Sequence, residues 1–431
     1  MALAAGLVVP IFANAQVPFT APVVTSFGPV NTLPFQSAPP SDFSSNLGYG
    51  SRDNSLSNIA EGLAEGIFSK LPVHLTLSAR EGYDSNVFTT QTDPIGSFYS
   101  NVSAGTSYDF GSPRFRLNSN LNGGATYYYS RPGDSVDLNG SVGLSATYLA
   151  TPRLTLGFST TTAYLSQPDL TILGATNRQN GDYFYSNTTL TANYQLTPIF
   201  STTSAYNINA IYYLDSNLND QQGNISQSFS ESFNWLWKPT TTLFVNYTAN
   251  PTTYYQADLN QFANYFAAGF TQILNPRSTW TARLGAQVNF NKNPTDGESI
   301  YVGPYGETTL NYMFGPSSSI FLTMRYGTEA SGIDNVTQRQ TFRVALGVNH
   351  NFSPRLSASL NLNYLNNYYS QSGVVNAFDE NIFEASASLN YQLNRLTSLS
   401  LGYQYTVDSA PGASYRDYTR NVIFGGANFS F

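Results

Sequence analysis

From Val73 to the carboxyl end, apolar and polar side chains alternate residue by residue over unusually long segments. In the segment 115–129, odd positions carry mainly Phe, Leu, Ala and Tyr, whereas even positions carry mainly Arg, Asn and Thr. A period of two residues is typical of a β-strand with one apolar and one polar face. Similar segments recur to the end of the chain, so we expect almost all of it to form antiparallel β-sheet.

The length of these segments separates a membrane barrel from a soluble β-sandwich. Strands of globular proteins are most often about five or six residues long, whereas a tilted strand needs about 9 to 11 residues to cross a bilayer. The alternating segments here reach 11 to 16 residues. We therefore predict an all-β fold, a transmembrane antiparallel up-and-down β-barrel whose apolar face contacts lipid and whose polar face lines a hydrated interior.

Composition agrees with a membrane barrel and argues against several other classes. Only 10% of the 431 residues are charged, while Tyr (31) and Phe (29) are abundant. The hydrophobic fraction is 41% and the mean hydropathy −0.23, and no segment after the amino terminus approaches the run of about 18 apolar residues that a transmembrane helix needs. A net charge of −7 without a basic patch argues against nucleic acid as a partner. The absence of cysteine excludes disulfides and thiolate chemistry.

Short turns and longer polar loops alternate between the segments and set the strand count. Seven of the eight short turns contain proline, which has no N–H for the ladder and marks strand ends. The short turns are predicted at 111–114, 151–153, 197–199, 238–240, 275–277, 315–317, 353–355 and 394–396. Nine longer loops are predicted near 84–94, 131–135, 166–182, 215–220, 253–258, 291–298, 329–335, 370–377 and 408–414. About eighteen strands result, with sixteen as the alternative, and an even number leaves both chain ends on the periplasmic side.

The first 71 residues do not share this alternation. Residues 1–15 are apolar and end in an Ala-x-Ala sequence, which is typical of a secretory signal peptide, although no Lys or Arg precedes the apolar core. Residues 16–53 are rich in Pro and Ser and predict a periplasmic linker. Residues 54–71 have the spacing of a short amphipathic helix, either a linker helix, which we favour, or one that plugs the barrel mouth. The barrel is predicted over 72–431.

The first loop and the last strand carry a family resemblance. The chain ends on Phe431, in register with the apolar face of its final strand, which looks like the last strand of bacterial outer-membrane barrels. The segment Gly82–Phe88 resembles the Gly-Tyr-Asp-x-Asn-Val-Phe opening of the putative β-barrel porin 2 family, and the Thr-Pro-Arg and Ser-Pro-Arg turns are similar to that family too. The resemblance covers about 73–431. It implies an outer-membrane barrel from a family of largely unestablished role, often suspected of serving exopolysaccharide export.

No constellation of residues predicts an enzyme, a metal site or a cofactor. His74 and His350 lie in different predicted strands. The sequence has no pair of histidines four residues apart, no phosphate-binding loop and no nucleophile elbow. The family resemblance supplies no catalytic residues either. We therefore expect no enzymatic activity.

Ten charged side chains are predicted to point into the interior, among Asn, Gln, Ser and Thr. These neutral groups donate and accept hydrogen bonds, which suits water and uncharged solutes. The charged candidates for a constriction are Arg80, Arg116, Arg283, Arg325, Arg343, Arg420, Asp109, Asp137, Glu307 and Glu384. Opposed basic and acidic rows would set a transverse electric field at a constriction. Because the arginines outnumber the acids, a mild preference for anions is expected. Equally, the same residues could form ion pairs that join neighbouring strands.

Glu231 conflicts with the alternation. It shares parity with Phe229 and Phe233, so a strict register directs a carboxylate at lipid, where charged groups are disfavoured. A β-bulge would return the side chain to the interior, and we favour this explanation. A subunit contact and a protonated carboxyl group are the alternatives.

Together these patterns predict a porin-like channel of the bacterial outer membrane for passive diffusion of small hydrophilic solutes. Two alternatives stay open, a conduit or accessory barrel for exopolysaccharide export and a non-conducting structural or adhesive barrel. The expected partners are outer-membrane lipid and small hydrophilic solutes or saccharides, and a homo-oligomer is left open. Loop 166–182 is the longest candidate for a segment folded into the lumen.

Overall fold

The computed structural model describes part of the chain only. The described residues are 73–431 apart from 167–181, 217–218, 220–222, 256–259, 294–296, 316, 334–335, 372–375 and 414–415. The predicted signal peptide, linker and amino-terminal helix lie outside the described residues, as does nearly all of loop 166–182. Within the described ranges, no helix combines the length and apolar character needed to span a membrane.

Eighteen antiparallel strands of 12 to 19 residues make up most of the described chain, which confirms the predicted count. They are β1 Val73–Asp84, β2 Ser97–Gly111, β3 Phe115–Tyr128, β4 Val136–Thr151, β5 Leu154–Leu165, β6 Tyr183–Gln195, β7 Phe200–Tyr213, β8 Asn224–Lys238, β9 Thr241–Tyr254, β10 Asn260–Asn275, β11 Ser278–Asn293, β12 Gly297–Gly315, β13 Ser318–Ile333, β14 Val336–Ser353, β15 Leu356–Tyr369, β16 Phe378–Gln392, β17 Thr397–Ser409 and β18 Tyr418–Ser430.

The sheet closes on itself. Each strand pairs with its neighbours in sequence, and β1 pairs with β18 from Thr76↔Ser430 to Asp84↔Val422. Phe431 and Leu75 exchange two backbone hydrogen bonds of 2.8 and 3.1 Å. Closure leaves no sheet edge to be satisfied by lipid, which has no hydrogen-bonding groups to offer. A barrel requires its last strand to pair with its first, so the pairing of β18 with β1 confirms the predicted barrel.

Side-chain burial is inverted relative to a soluble protein. Leu284, Ile300 and Phe98 are 75%, 67% and 64% exposed, whereas the polar Gln287 and Asn289 are 0% exposed. A surface of exposed aliphatic and aromatic side chains around a polar interior is the arrangement that a lipid environment selects. The predicted sorting of side chains by parity is therefore confirmed.

The same alternation divides the tyrosine clusters at the loop end of the strands. Tyr127 and Tyr129 face outward and are 47% and 56% exposed, whereas Tyr128 between them is 2% exposed. Inward-facing tyrosines of β6 and β7 likewise pack into a small apolar cluster. Tyrosine thus serves both faces of the rim, since its ring packs inside and its amphipathic character suits a membrane interface outside.

The β-bulge predicted at Glu231 is wrong. β8 pairs with β7 from Ile211↔Asn224 to Phe200↔Trp235 without a register shift. Its irregularity against β9 lies at Leu236/Lys238, beside the turn. Glu231 therefore stays on the lipid-facing side, where the Ser204 hydroxyl donates a hydrogen bond of 2.5 Å to its carboxylate.

Two of the nine predicted loops are largely strand. β11 continues to Asn293 and β12 begins at Gly297, while β13 continues to Ile333 and β14 begins at Val336. The polar composition that predicts loops at 291–298 and 329–335 belongs in part to inward-facing strand positions. Consequently Glu329, placed in a loop by its neighbours in sequence, lies on β13.

Candidate functional site: the polar lumen and its inner hairpin

The ladder between β12 and β13 stops halfway up the wall. It runs from Gly315↔Ser318 to Gly306↔Tyr326 and is absent beyond that point. Both strands continue nonetheless, β12 paired with β11 to Asn293↔Gly297 and β13 paired with β14 to Ile333↔Val336. We call the part of β13 and β14 between Gly327 and Thr341 the inner hairpin.

Side chains on the inner face of the wall hold this hairpin. The Gln287 side chain of β11 accepts a hydrogen bond from the Thr328 amide (2.8 Å) and donates one to the Thr328 carbonyl (3.2 Å). The Tyr265 hydroxyl of β10 donates to the same carbonyl at 3.2 Å. Asn289 and Asn291 both donate to Oε1 of Gln338, at 3.3 and 3.0 Å. Because these groups lie on inward positions of β10 and β11, the inner hairpin turns into the lumen.

Local sequence explains why the ladder stops here. Pro304 of β12 lacks the N–H that a ladder requires, and it lies two residues beyond the last paired position, Gly306. Gln287 then replaces the missing strand, since its amide group offers the same donor and acceptor as a peptide. Gly327 permits the close approach, because a Cβ there would lie 2.9 Å from Oε1 of Gln287 and 3.1 Å from the Tyr305 ring.

We expect Gly327→Val to lower the stability of the barrel by about 1–3 kcal/mol, the usual effect of forcing extra atoms into a packed contact. The added side chain must push the inner hairpin away from Gln287 and Tyr305. Thermal unfolding in detergent measures the effect. Gly111→Val is the control, because a Cβ at that position meets nothing within 4 Å. Equal melting temperatures for the two variants would contradict this account of the hairpin.

Three arginines converge on Glu329 of the inner hairpin. Arg325 Nη1 lies 3.6 Å from Oε1 and Arg339 Nη2 lies 3.5 Å from Oε2. Arg343 binds both carboxylate oxygens, through Nε at 3.1 Å and through Nη2. The three guanidinium groups are 1–7% exposed, so this carboxylate neutralises charge that is largely removed from water.

The charges continue across β15 and β16. Arg339 donates to the Tyr369 hydroxyl at 3.2 Å, and that hydroxyl donates to Glu380 at 3.1 Å. Glu380 also forms an ion pair of 2.7 Å with Arg416 of the last loop. Burial alone would lower the pKa of Arg416, but the neighbouring Glu380 carboxylate raises it above its usual range, so the guanidinium stays charged.

A third group lies on the other side of the inner hairpin. Arg283 of β11 forms an ion pair of 2.7 Å with Glu307 of β12, and the Tyr305 hydroxyl donates to the same carboxylate at 2.8 Å. The Arg283 and Arg325 guanidinium groups both lie over the Tyr305 ring, at 5.4 and 5.8 Å from its centroid. We call these charged residues together the charged cluster: Arg283, Arg325, Arg339, Arg343, Arg416, Glu307, Glu329 and Glu380.

The structure distributes the ten predicted constriction residues between this cluster and other places. Arg283, Arg325, Arg343 and Glu307 belong to the charged cluster. Arg420 forms an ion pair with Asp84 at 2.5 Å, and Asp137 forms one with Arg131 at 2.6 Å. Arg80 is buried with its guanidinium 5.3 Å from the Phe424 ring centroid. Asp109 and Arg116 lie near the turn joining β2 and β3, where Asn118 donates to Asp109 at 2.6 Å. Glu384 accepts hydrogen bonds from Asn363 and Gln404 at 3.4 and 3.2 Å.

Several residues of the site escape sequence reasoning. Glu329 and Arg416 fall in segments predicted as loops or beside them, and Arg339 lies just after one. Glu380 has the inward parity of β16 but stands close to a predicted loop end. Pro304 is the signal in the sequence that could have revealed the site, because a proline inside a long alternating segment marks a strand that loses a neighbour.

The wall opposite the inner hairpin is accessible and carries mostly neutral inward side chains. Its charged inward groups are Arg116 beside the short turn and Asp137, which forms an ion pair with Arg131. Nine positions in an eighteen-strand ring separate β4 from β13, so β3–β6 face the hairpin across the lumen. Inward amides there are at least partly exposed, among them Asn118, Asn120, Asn122, Asn187 and Asn193. By contrast, inward polar side chains of β8 and β9 such as Ser230 and Thr248 are 1% and 0% exposed. The accessible part of the lumen therefore runs along the amide-bearing wall of β3–β6.

A family model for putative β-barrel porin 2 matches residues 73–431 of the chain. The chain belongs to the putative β-barrel porin 2 family. The match begins at the first residue of β1 and ends at the carboxyl terminus, so it covers the barrel as the structure defines it. The resemblance expected from the sequence is confirmed, and the fold and family together imply an outer-membrane protein. No curated protein matches the chain.

This porin 2 family member is also similar to solved outer-membrane proteins of low sequence identity. Pseudomonas aeruginosa OpdK with vanillate has 12% identity and a TM-score of 0.44, with 83% of this chain and 99% of OpdK covered. Acinetobacter baumannii OccAB2 has 10% identity and a TM-score of 0.45, with 83% and 98% covered. The Pseudomonas aeruginosa siderophore receptor PirA has 8% identity and a TM-score of 0.41, with 84% and 80% covered. Likenesses this distant do not extend to function.

The residues that carry the porin 2 resemblance seal the barrel where β1 meets β18. Asp84 accepts hydrogen bonds from Nε and Nη2 of Arg420 at 3.0 and 2.5 Å. The Asn86 side chain donates to the Thr419 carbonyl at 3.2 Å and to the Thr90 carbonyl at 2.8 Å. The Asp-x-Asn sequence thus joins the first loop to the last strand, a structural role at the closure.

Proposed function

We propose that this protein is an outer-membrane channel through which small hydrophilic solutes diffuse passively, with the inner hairpin as its constriction. The observation that carries the proposal is the pairing of an accessible wall of neutral amides on β3–β6 with a charged hairpin on the opposite side. Amide and hydroxyl groups exchange hydrogen bonds with a passing solute without binding it deeply. We propose no enzymatic activity and no cofactor.

The charged cluster supports a preference for anions. Within it, five arginines stand against three glutamates, and Asp408 of β17 near Arg416 adds a fourth acid, so a small excess of positive charge remains on this side of the lumen. A field of this kind attracts anions into a narrow aqueous passage, because the low-dielectric wall focuses it.

Planar-bilayer recording of the purified full-length chain tests the proposal. We expect steady ion flow at open-pore levels and, in a salt gradient, a reversal potential of the sign that anion preference gives. If an added saccharide polymer blocks the current and small sugars do not, the result would favour exopolysaccharide export instead. A folded barrel that remains silent would overturn the channel proposal in favour of a structural or adhesive role.

A further inference from the structure

Glu231 occupies the least favourable place on the outer wall for a carboxylate. It is the eighth of the fifteen residues of β8 and faces outward with Phe229 and Phe233. Among the residues that the structure describes, every other charged side chain on an outward strand position lies within three residues of a strand end. They are Glu81, Lys292, Glu298 and Asp379. Glu231 alone would therefore face the middle of the lipid layer, where a charge is most costly.

Further polar groups surround this carboxylate on the same outer face. Ser204 of β7 donates to Glu231 at 2.5 Å. On one side of it, the Tyr206 hydroxyl donates to the Gln227 side-chain carbonyl at 2.6 Å. On the other side, the Tyr247 hydroxyl of β9 donates to the Asn264 side-chain carbonyl of β10 at 2.8 Å. Tyrosine–amide pairs thus flank Glu231 on both sides, and we call this surface of β7–β10 the polar outer patch.

We propose that the polar outer patch is the contact surface for a second copy of this chain. A two-fold axis parallel to the barrel axis and close to Glu231 would bring the Tyr206–Gln227 side of one copy against the Tyr247–Asn264 side of the other. Such an isologous contact is self-complementary when a central group is flanked by similar groups on both sides. Each flank carries an amide hydrogen-bonded to a tyrosine hydroxyl, groups that act as donors and acceptors alike. Gln227 is exposed and the two tyrosines are half-buried, whereas Asn264 is only 8% exposed, so Tyr247 forms the outer part of its flank.

The central carboxyl groups then have a defined role. Two Glu231 side chains then face each other across the axis, surrounded by the hydroxyl and amide groups of both copies instead of lipid. Each retains its hydrogen bond from Ser204. Contact between copies removes the polar groups from lipid, where hydrogen bonds between polar side chains join membrane-spanning segments. A lipid headgroup does not fit this place, since Glu231 lies at the centre of its strand rather than at an interface. This proposal is independent of whether the lumen conducts.

Two measurements test the contact. The first is the mass of the full-length protein in lipid nanodiscs, where we expect a dimer for the natural chain and a monomer for Glu231→Leu. Ser119→Leu is the matched control, because Ser119 is a polar residue on an outward position near the middle of β3, and it should remain dimeric. Resistance of the folded barrel to heat in detergent shows that each variant has folded.

The second measurement uses the natural absence of cysteine. Phe233→Cys lies next to Glu231 on the same face, and we expect oxidation in the membrane to give a covalently linked dimer that reductant separates. Leu121→Cys, on the outer face of β3 and 53% exposed, should not cross-link. A monomeric natural chain, or equal cross-linking of the two cysteine variants, would overturn the proposal. If Glu231→Leu does not fold, the comparison of the two cysteine variants decides.

Discussion

Replacing Glu329 with glutamine is expected to be among the most destabilising single substitutions in this barrel. The change keeps the size of the side chain but removes the carboxylate on which Arg325, Arg339 and Arg343 converge. Removing one partner from a buried ion-pair group typically costs about 3–5 kcal/mol, because the remaining charges stay in a low-dielectric environment. Unfolding in denaturant, followed in detergent micelles, measures the loss.

Asp379→Asn provides the control for this loss. It removes one carboxylate from an exposed outward position of β16, where water and salt screen the charge. We expect its unfolding midpoint to match that of the natural chain. Conductance adds a second readout, since Glu329→Gln raises the positive excess of the charged cluster and should shift the reversal potential further towards anions. A Glu329→Gln protein as stable as Asp379→Asn would show that the arginines do not depend on this carboxylate.

Gln287→Ala is expected to release the inner hairpin and widen the channel. The substitution removes the two hydrogen bonds between Gln287 and the Thr328 backbone and leaves the one from the Tyr265 hydroxyl. At about 1 kcal/mol for each bond, the equilibrium between seated and released hairpin shifts by about 2 kcal/mol, or roughly 30-fold. Single-channel recordings should therefore show larger and noisier current levels than those of the natural chain.

Gln404→Ala is the matched control for this release. Gln404 also points inward and binds Glu384 at 3.2 Å, but its strand, β17, lies away from the hairpin. We expect its current levels to stay close to those of the natural chain. Asn289 and Gln338 already contact each other, so cysteines at these two positions should form a disulfide that fixes the inner hairpin to the wall. Added to Gln287→Ala, the pair Asn289→Cys and Gln338→Cys should suppress the current noise of that variant until reductant is added. Identical traces for Gln287→Ala and Gln404→Ala would exclude the hairpin as the constriction.

The fold of this chain could be predicted from its sequence because alternation is a local property. The alternation within each segment indicates which side chains face outward, and each proline-containing turn marks where a segment ends. The number of strands and the orientation of their side chains could therefore be predicted without knowledge of distant contacts. The closure of β1 on β18 followed as well, since a barrel in lipid allows no free edge. The residues of the charged cluster were partly predicted for the same reason: parity placed Arg283, Arg325 and Arg343 inside.

The inner hairpin could not be predicted in this way. Alternation indicates which face a side chain occupies, but not whether two consecutive strands remain paired along their whole length. Glu329 lies on β13 beyond the last rung shared with β12, and its polar neighbours resemble a loop. Glu231 shows the complementary case. Parity assigned its face correctly, and no change of register returns the carboxylate to the interior; Ser204 on the adjacent strand donates a hydrogen bond to it instead.

The closure of the barrel also determines its order of assembly. Thr76 of β1 pairs with Ser430 of β18. The backbone hydrogen-bonding groups on that edge of β1 therefore have no strand partner until β18 has been synthesised. Contacts this distant in sequence form slowly, since a very long loop must close before they contribute. A chain released before β18 would present two open edges to the bilayer. We therefore expect insertion to begin only after synthesis is complete, with the unfolded chain held soluble by other factors until then.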